Sequence, residues 1–600
     1  SDMGRGSEAD PVYERVLAQA EAQLDGDDPA WALVMVATRT AASLAQFRGD
    51  DPRGALAALE AIRPLLARVD HAITCAAYWR QVAILLELGR RYSSAVRTLN
   101  RALDLYDRVR YEPGRYDVYW SLSRSYIELG DLRTARLCLR ECVVVAERLA
   151  LRVELGKSKS SFADLAVREG RYDEAMELYG EDLALSRDQG DQQALGHCTR
   201  KLAYCHHLMA HLPQARDLAE ASVGHFEATG RHGEANASRV LLVRVLVDLD
   251  LLDEASAVLD SVRSGGAVRP LEQADWLCAK GLVLRARGDL AQASELFAES
   301  LSLLDPSLPS RTLAGAQLDL GVTWRLMGRR DEAREQLVAA TDTAGFLGSR
   351  DLWLRSVEEL RQIDLMDGMR QMLKPYLPNR AVVELSGGDE PGGLGTATIM
   401  FVDMRSSTQI SGTLAPDAMA EVVDAFLGPV VRIILNWGGT VDKFIGDCVV
   451  AVFGLTSGDS PDGDAGATAG VWAGLEIIDY MEATKEVRRR TGANVLEAAI
   501  GINTGRVASG CFGPLLRRDY TVLGYHVNLA QRMQTLAGLV EADAGTRMVI
   551  SGFTRDALAY PVPADQVTVA NGLLKGIDDD DAEAWLVRAK EALDLGGYGA

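Results

Sequence analysis

The chain has 600 residues, 48% of them apolar, and a formal net charge of −21. That length supports several buried cores, and the acidic balance argues against nucleic acid or an anionic membrane as the main partner. No run of about eighteen apolar residues occurs; the segment VLLVRVLVDLDLL at 240–252 is broken by Arg244, Asp248 and Asp250. The start shows no basic stretch followed by an apolar one, and Ser1-Asp2-Met3 has the form of an expression remnant. The expectation is a soluble, cytoplasmic chain with no membrane span. Eight cysteines, at 75, 138, 142, 198, 205, 278, 448 and 511, form no CxxC pair, so neither a disulfide framework nor a zinc site is indicated.

After an N-terminal segment (1–29), one motif recurs. LGRRYSSA, LGDLRTA, EGRYDEA, MAHLPQA, LDLLDEA, RGDLAQA and MGRRDEA end on Ala95, Ala135, Ala175, Ala215, Ala255, Ala293 and Ala333, at intervals of 40, 40, 40, 40, 38 and 40, with Ala55 a fainter earlier copy. Each unit reads as a helix, a short polar turn and a second helix with alanine where helices pack closely, which is the pattern of an all-α solenoid. Residues 30–362 resemble tetratricopeptide repeats in their longer form, and the resemblance implies a concave surface for a protein or peptide. Six of the eight histidines fall between 197 and 232. His207 and His211 have the i,i+4 spacing of a helical metal pair, although helical repeats often carry such residues without metal.

Residues 363–396 read as a linker. A short amphipathic segment at 372–385 is interrupted by Pro375 and Pro378, and Gly/Pro-rich sequence follows. The tract at 387–390 imitates a diguanylate cyclase signature, but no aromatic follows it and no strands flank it. The GGLG before Thr396 lacks the lysine and helix start of a phosphate loop.

Residues 397–590 follow, ahead of a short tail (591–600). A strand (398–403) ends on Asp403. A helix (416–436) leads to two β-branched segments, 440–445 and 448–453, around a Gly446-Asp447 turn, a strong hairpin signal. A helix (464–490) and the strand LEAAIGINTG complete a βαββαβ order. This predicts an α+β, ferredoxin-like (palm-type) sheet with helices on one face. Asp403 and Asp447, both at strand ends, suit hard cations that bridge to phosphates. Thr521 lies on a further strand, and Asn528 and Arg532 share one face of the helix after it. The tetra-aspartate at 578–581 reads as a solvated loop.

FVDMRSST, DKFIGDCVVAVFG, IGINTGRVASGCFG and DYTVLGYHVNLAQRM together resemble the class III nucleotidyl cyclases across essentially all of 397–590. The resemblance implies that Asp403 and Asp447, with Met404, bind two Mg2+ or Mn2+. It makes Lys443 and Thr521 readers of the purine, Asn528 the ribose-orienting residue, Arg532 the transition-state arginine and Lys575 a triphosphate contact. Threonine at 521, rather than aspartate, resembles the subgroup that contains bicarbonate-stimulated soluble cyclases. Tyr525-His526 departs from the family's usual pair, and His526 is either a group titrating near neutrality or a packed ring.

Physical chemistry agrees with these assignments. A donor-only lysine suits the acceptor N1 of adenine and opposes the N1–H of guanine, and a threonine hydroxyl accepts from the adenine amino group. The expected activity is conversion of ATP to 3′,5′-cyclic AMP and pyrophosphate. The metal half and the purine half belong to different domains in this family, so one chain carrying both implies a homodimer. Guanylate cyclase and a non-catalytic nucleotide-binding scaffold are the competing readings.

Overall fold

A computed structural model describes residues 29–48, 52–89, 91–261, 270–306, 308–364, 368, 371, 393–455, 463–512, 519–540, 545–567 and 583–595. The expected segment at 372–385, the tract at 387–390 and the tetra-aspartate lie outside them. Two compact units are formed. One contains residues 1–145, 377–384 and 389–600, and the other 146–376 and 385–388. Among the described residues no helix is long and apolar enough to cross a membrane.

Among the described residues the repeat region is built of helices joined by short turns. In the first unit it begins with α1 (Pro29–Arg48), α2 (Pro52–Ile62), α3 (Ala72–Leu88), α4 (Tyr92–Arg108), α5 (Glu112–Leu129) and α6 (Leu132–Arg148). The second unit continues with α7 (Arg152–Arg168), α8 (Tyr172–Gln189), α9 (Gln192–Leu208), α10 (Leu212–Ala228), α11 (His232–Asp248), α12 (Leu252–Asp260), α13 (Pro270–Ala286), α14 (Leu290–Ser302), α15 (Arg311–Leu326), α16 (Arg330–Leu347) and α17 (Arg350–Ile363). All seven periodic alanines, and Ala55, are fully buried, as expected of positions where helix backbones approach closely.

The turns explain the period. Left-handed residues recur every twenty positions at Arg110, Gly130, Ala150, Gly170, Gly190, Ala210, Gly230 and Asp250. Each closes a helix so that the next amide bonds back across the turn, as Asp131 N–H does to the Tyr126 carbonyl at 2.9 Å. Four of these eight are not glycine and bear a cost of about 1–2 kcal/mol each. Glycine alone therefore marks the repeat incompletely. His207 and His211 do not converge, because α9 ends at Leu208 and the Ala210 turn separates them. His207 Nε2 meets Asp248 at 2.6 Å, while His211 faces His206. Among the described residues no group of three or more His, Cys, Asp or Glu is placed to hold a metal.

The mixed sheet in the first unit is built from β1 (Leu394–Met404), β2 (Thr440–Ile445), β3 (Cys448–Phe453), β4 (Ala498–Phe512), β5 (Asp519–Leu523), β6 (Arg547–Ser551), β7 (Ala564–Val567) and β8 (Ala584–Val587). Its order is β2-β3-β1-β4-β6-β8-β7, with β5 paired to β4. The helices are α18 (Ser407–Ser411), α19 (Pro416–Asn436), α20 (Gly463–Arg490), α21 (Tyr525–Leu539), α22 (Gly552–Asp556) and α23 (Ala589–Leu595). Alternation along β1 separates two of them. Thr398 packs beneath Gly470 of α20, whereas Ile399 and Phe401 cluster with Ala530 of α21. The sheet is thus covered on both faces, not on one as the βαββαβ order alone suggests; the difference is α21, which follows that unit.

Helices α4 to α6 pack directly on α19 and α20. The Arg488 guanidinium, 2% exposed, pairs at 2.5 Å with Asp131, which is fully buried. Tyr480 Oη donates to the same Asp131 oxygen at 2.8 Å, and the other Asp131 oxygen accepts from Thr134 N–H at 3.0 Å, capping α6. Around this centre Arg97 pairs with Asp479 at 2.8 Å, and Arg490 with Asp104 and Asp107 at 2.5 Å each. The backbones meet at Gly130 and Gly428, where a Cβ on Gly428 would lie 2.9 Å from the Gly130 carbonyl oxygen.

Removing one partner of a buried ion pair strands the other, at about 3–5 kcal/mol. Asp131→Ala should therefore lower unfolding stability by that order in the full chain. Asp131→Asn with Arg488→Met together should cost clearly less, because neither charge is then left alone. Denaturant unfolding of the two variants checks this.

Candidate active site

Two carboxylates meet where three strands end. In the β1–β3 ladder Val402 pairs with Val449, and in the β2–β3 hairpin Ile445 pairs with Cys448 across the Gly446-Asp447 turn. Asp403 follows Val402, and its register brings it beside Asp447. Burial pushes the Asp403 carboxyl up to about 6; the charge of Asp447 adds to the rise, and a hydrogen bond from Gln534 opposes it. That bond, from Gln534 Nε2 to Asp403 Oδ2, measures 3.2 Å. The Cys448 thiol beside them is pushed up to about 12, by burial first and then by the two carboxylates.

Asp447 Oδ2 is buried with no hydrogen-bond partner. A buried acceptor without a donor, next to a second carboxylate of raised pKa, is the environment a divalent cation satisfies. The donor set fits such a group. The Met404 side chain is buried, so any contribution from this residue comes from its main-chain carbonyl. The following loop is held by Arg405, whose N–H donates to the Glu497 carbonyl at 2.8 Å and whose guanidinium donates to the Gly545 carbonyl at 2.6 Å. Ser406 then takes a left-handed conformation (φ 60) before α18.

A second cluster lies on β2 and β5. A register shift between Val441 and Lys443 interrupts strict alternation, and Asp442 is buried beside Lys443. The Lys443 ammonium lies 3.4 Å from Asp442 Oδ2, and Thr521 Oγ1 donates to the same oxygen at 2.8 Å. Lys443 and Thr521, far apart in sequence, thus share one carboxylate. Asp442 and Gln534 were not among the expected site residues. Simple alternation sends Asp442 to the face opposite Lys443, and no local pattern marks Gln534.

Asn528 is exposed and Arg532 half-buried on α21. Gln534 is two residues beyond Arg532, a rotation of about 200° on a helix. The side of α21 that meets Asp403 is therefore not the side that carries Asn528 and Arg532. Among the described residues, no hydrogen bond or ion pair joins either residue to Asp403 or Asp447. His526 is packed: its ring lies edge-on to Tyr525 and Phe553, it faces Asn503 Nδ2 at 3.1 Å, and burial lowers its pKa. The space for that ring comes from Gly505, where a Cβ would meet it at 2.3 Å. Lys575 lies outside the described residues.

Residues 391–558 match the family model described as the adenylate and guanylate cyclase catalytic domain, and residues 116–146 match that of the tetratricopeptide repeat. The chain carries a class III adenylate/guanylate cyclase catalytic domain. An adenylate cyclase of Dictyostelium discoideum, specific to terminal differentiation, is 29% identical over 178 residues, covering 29% of this chain and 8% of that protein. An adenylate cyclase of Anabaena cylindrica is 30% identical over 139 residues, covering 23% of this chain and 27% of that protein. The chain thus spans 8% and 27% of these two relatives. The crystal structure of the adenylyl cyclase CyaB from P. aeruginosa matches at 29% identity and a TM-score of 0.28, over 32% of this chain and 94% of that one.

The carboxylate pair of the cyclase domain has a signature that needs no substrate. The folded-state pKa of Asp403, about 6, lies above its ordinary 3.8. The folded protein therefore holds this proton more tightly, and stability falls as pH rises between the two values. In chelator the melting temperature should show that fall, Asp403→Asn should lack this component, and magnesium should reverse it near neutrality. Melting curves against pH for both proteins test it.

Proposed function

We propose that the chain is a cytoplasmic adenylate cyclase that converts ATP to 3′,5′-cyclic AMP and pyrophosphate at sites shared by two copies of the chain. The observation that carries this reading is the Thr521–Asp442–Lys443 cluster. Because Thr521 spends its hydroxyl proton on Asp442, its lone pairs remain for a donor, and the adenine amino group is one. Lys443 supplies the complementary donor for N1. Guanine reverses both polarities, placing a carbonyl at Thr521 and an N–H at Lys443. Each mismatch is worth roughly 1–3 kcal/mol.

The reaction forms a bond from the ribose 3′-oxygen to the α-phosphorus and breaks the bond to pyrophosphate, and the hydroxyl proton is lost. Two Mg2+ or Mn2+ held by Asp403, Asp447 and the Met404 carbonyl would supply acidification of that hydroxyl and neutralisation of phosphate charge. Arg532 directs guanidinium donors to the charge developing on the α-phosphate oxygens, Asn528 fixes the ribose, and Lys575 contacts the triphosphate. The opposed sides of α21 support a shared site, in which one copy gives the carboxylates and the other gives Lys443, Thr521, Asn528 and Arg532. The direct packing of α4–α6 on α19 and α20 supports control of the cyclase domain by the repeats, with the 363–396 linker as a second connection and a protein or peptide as the repeats' ligand. Threonine at 521 supports a bicarbonate response, to be tested by titrating bicarbonate at fixed pH.

Purified protein with ATP or GTP, and magnesium or manganese, should yield cyclic AMP that disappears in Asp447→Ala. Cyclic GTP-derived product alone would make it a guanylate cyclase. No product from a nucleotide-binding dimer under any activator would favour the scaffold. Asp447→Ala mixed with Arg532→Ala should recover about a quarter of wild-type activity, since half the dimers are mixed and each keeps one of two sites. A dead mixture with proven heterodimers ends the shared-site reading. Asp442→Asn should lower the ratio of kcat/KM for ATP over GTP by at least about fivefold; an unchanged ratio removes Asp442 from purine selection.

A further inference from the structure

The second compact unit contains a cavity of about 600 Å3 that the proposed reaction does not use. Helices α7, α8, α9, α11, α13 and α15 line it, together with the start of α17. Arg311 pairs with Asp351 at 2.7 Å, and Tyr204 of α9 donates to the same carboxylate at 3.2 Å. The Arg350 side chain lies against the turn at Gly170. The volume is partly open to solvent, and its size falls among small-molecule sites, about 300–1,000 Å3.

The charge balance of its walls is unusual for so acidic a chain. Arg168, Arg200, Lys201, Arg244, Arg311 and Arg350 face Asp164, Asp275 and Asp351. Asp351 is taken by Arg311, and Asp164 by Lys201 at 2.7 Å. Arg200 lies over the Phe226 ring, with His197 Nδ1 at 3.4 Å as its polar neighbour. Neither Arg200 nor Arg350 makes an ion pair among the described residues. Burial lowers the Arg200 pKa, and His197 is held at about 4 by burial and then by Arg200 and Lys201. Arg200 is thus a largely buried guanidinium whose desolvation the charge of Glu234 partly offsets, and an anion entering the cavity would offset it further, with the exposed Arg350 as a second donor. The remaining wall is apolar, from Val167, Val240, Leu241 and Leu347.

We propose that this cavity binds a small organic anion with an apolar body, its carboxylate, sulfonate or phosphate group held by Arg200 and Arg350. The site is separate from the nucleotide reaction and stands independently of it.

Calorimetric titration of the full chain with naphthalene-2-sulfonate, 2-naphthoate and 2-naphthyl phosphate tests it, with neutral 2-naphthamide as control. The expected result is one saturable site per chain for at least one anion, bound at least tenfold more tightly than the amide. Arg200→Gln and Arg350→Gln should each weaken that binding at least tenfold. Arg350→Gln carries the test if Arg200→Gln fails to fold, since Arg200 also packs on Phe226. No saturable binding of any of the three anions overturns the proposal, as does undiminished binding by a folded variant. A short acidic peptide that outcompetes all three would overturn the small-molecule assignment in favour of a peptide site.

Discussion

The site depends on the register of β1 against the β2–β3 hairpin. That pairing sets Asp403 beside Asp447 and leaves Asp447 Oδ2 buried without a donor. Two carboxylates held together in partial burial oppose folding, and the opposition appears as the raised pKa of Asp403. The apolar ladder around them compensates: Ile399, Met400, Val402, Val449 and Val450 are all buried. The sheet thus forces an electrostatic conflict of the kind a divalent cation would relieve.

The Thr521–Asp442–Lys443 cluster works by a different principle. Asp442 is buried. Lying between Lys443 and Thr521, it fixes the direction of a hydroxyl and holds an ammonium nearby. Polarity is set in this way by the fold itself, and positioning of this kind carries much of the discrimination a buried polar site achieves.

The repeats are part of the cyclase domain's surroundings and not only a neighbour along the chain. Asp131 caps α6 with one oxygen and pairs with Arg488 of α20 with the other. A shift of that repeat turn is therefore felt at once by a helix packed on β1, β3 and β4. A buried pair of this sort contributes little net stability, while the loss of either partner strands the other charge. The cationic cavity in the second unit gives the repeat region a chemistry of its own.

The local features were legible in the sequence. The hairpin strands fall at 440–445 and 448–453 as expected, because a Gly-Asp turn between β-branched segments is decided by neighbouring residues. The repeat period was equally plain, since every unit must bury the same alanine. What the sequence hid depends on distant partners. The bulge that turns Asp442 toward Lys443, the reach of Gln534 to Asp403 and the Asp131–Arg488 pair join residues up to 357 positions apart. The His207/His211 spacing left the question open for the same reason: a periodic spacing cannot tell where a helix stops. The sequence by itself determined the elements, the repeat and the identities of the candidate catalytic side chains, all properties of short segments. Only the tertiary structure decided which charges meet, which are left unpaired and which side of α21 meets Asp403, because burial and electrostatics depend on separation in space.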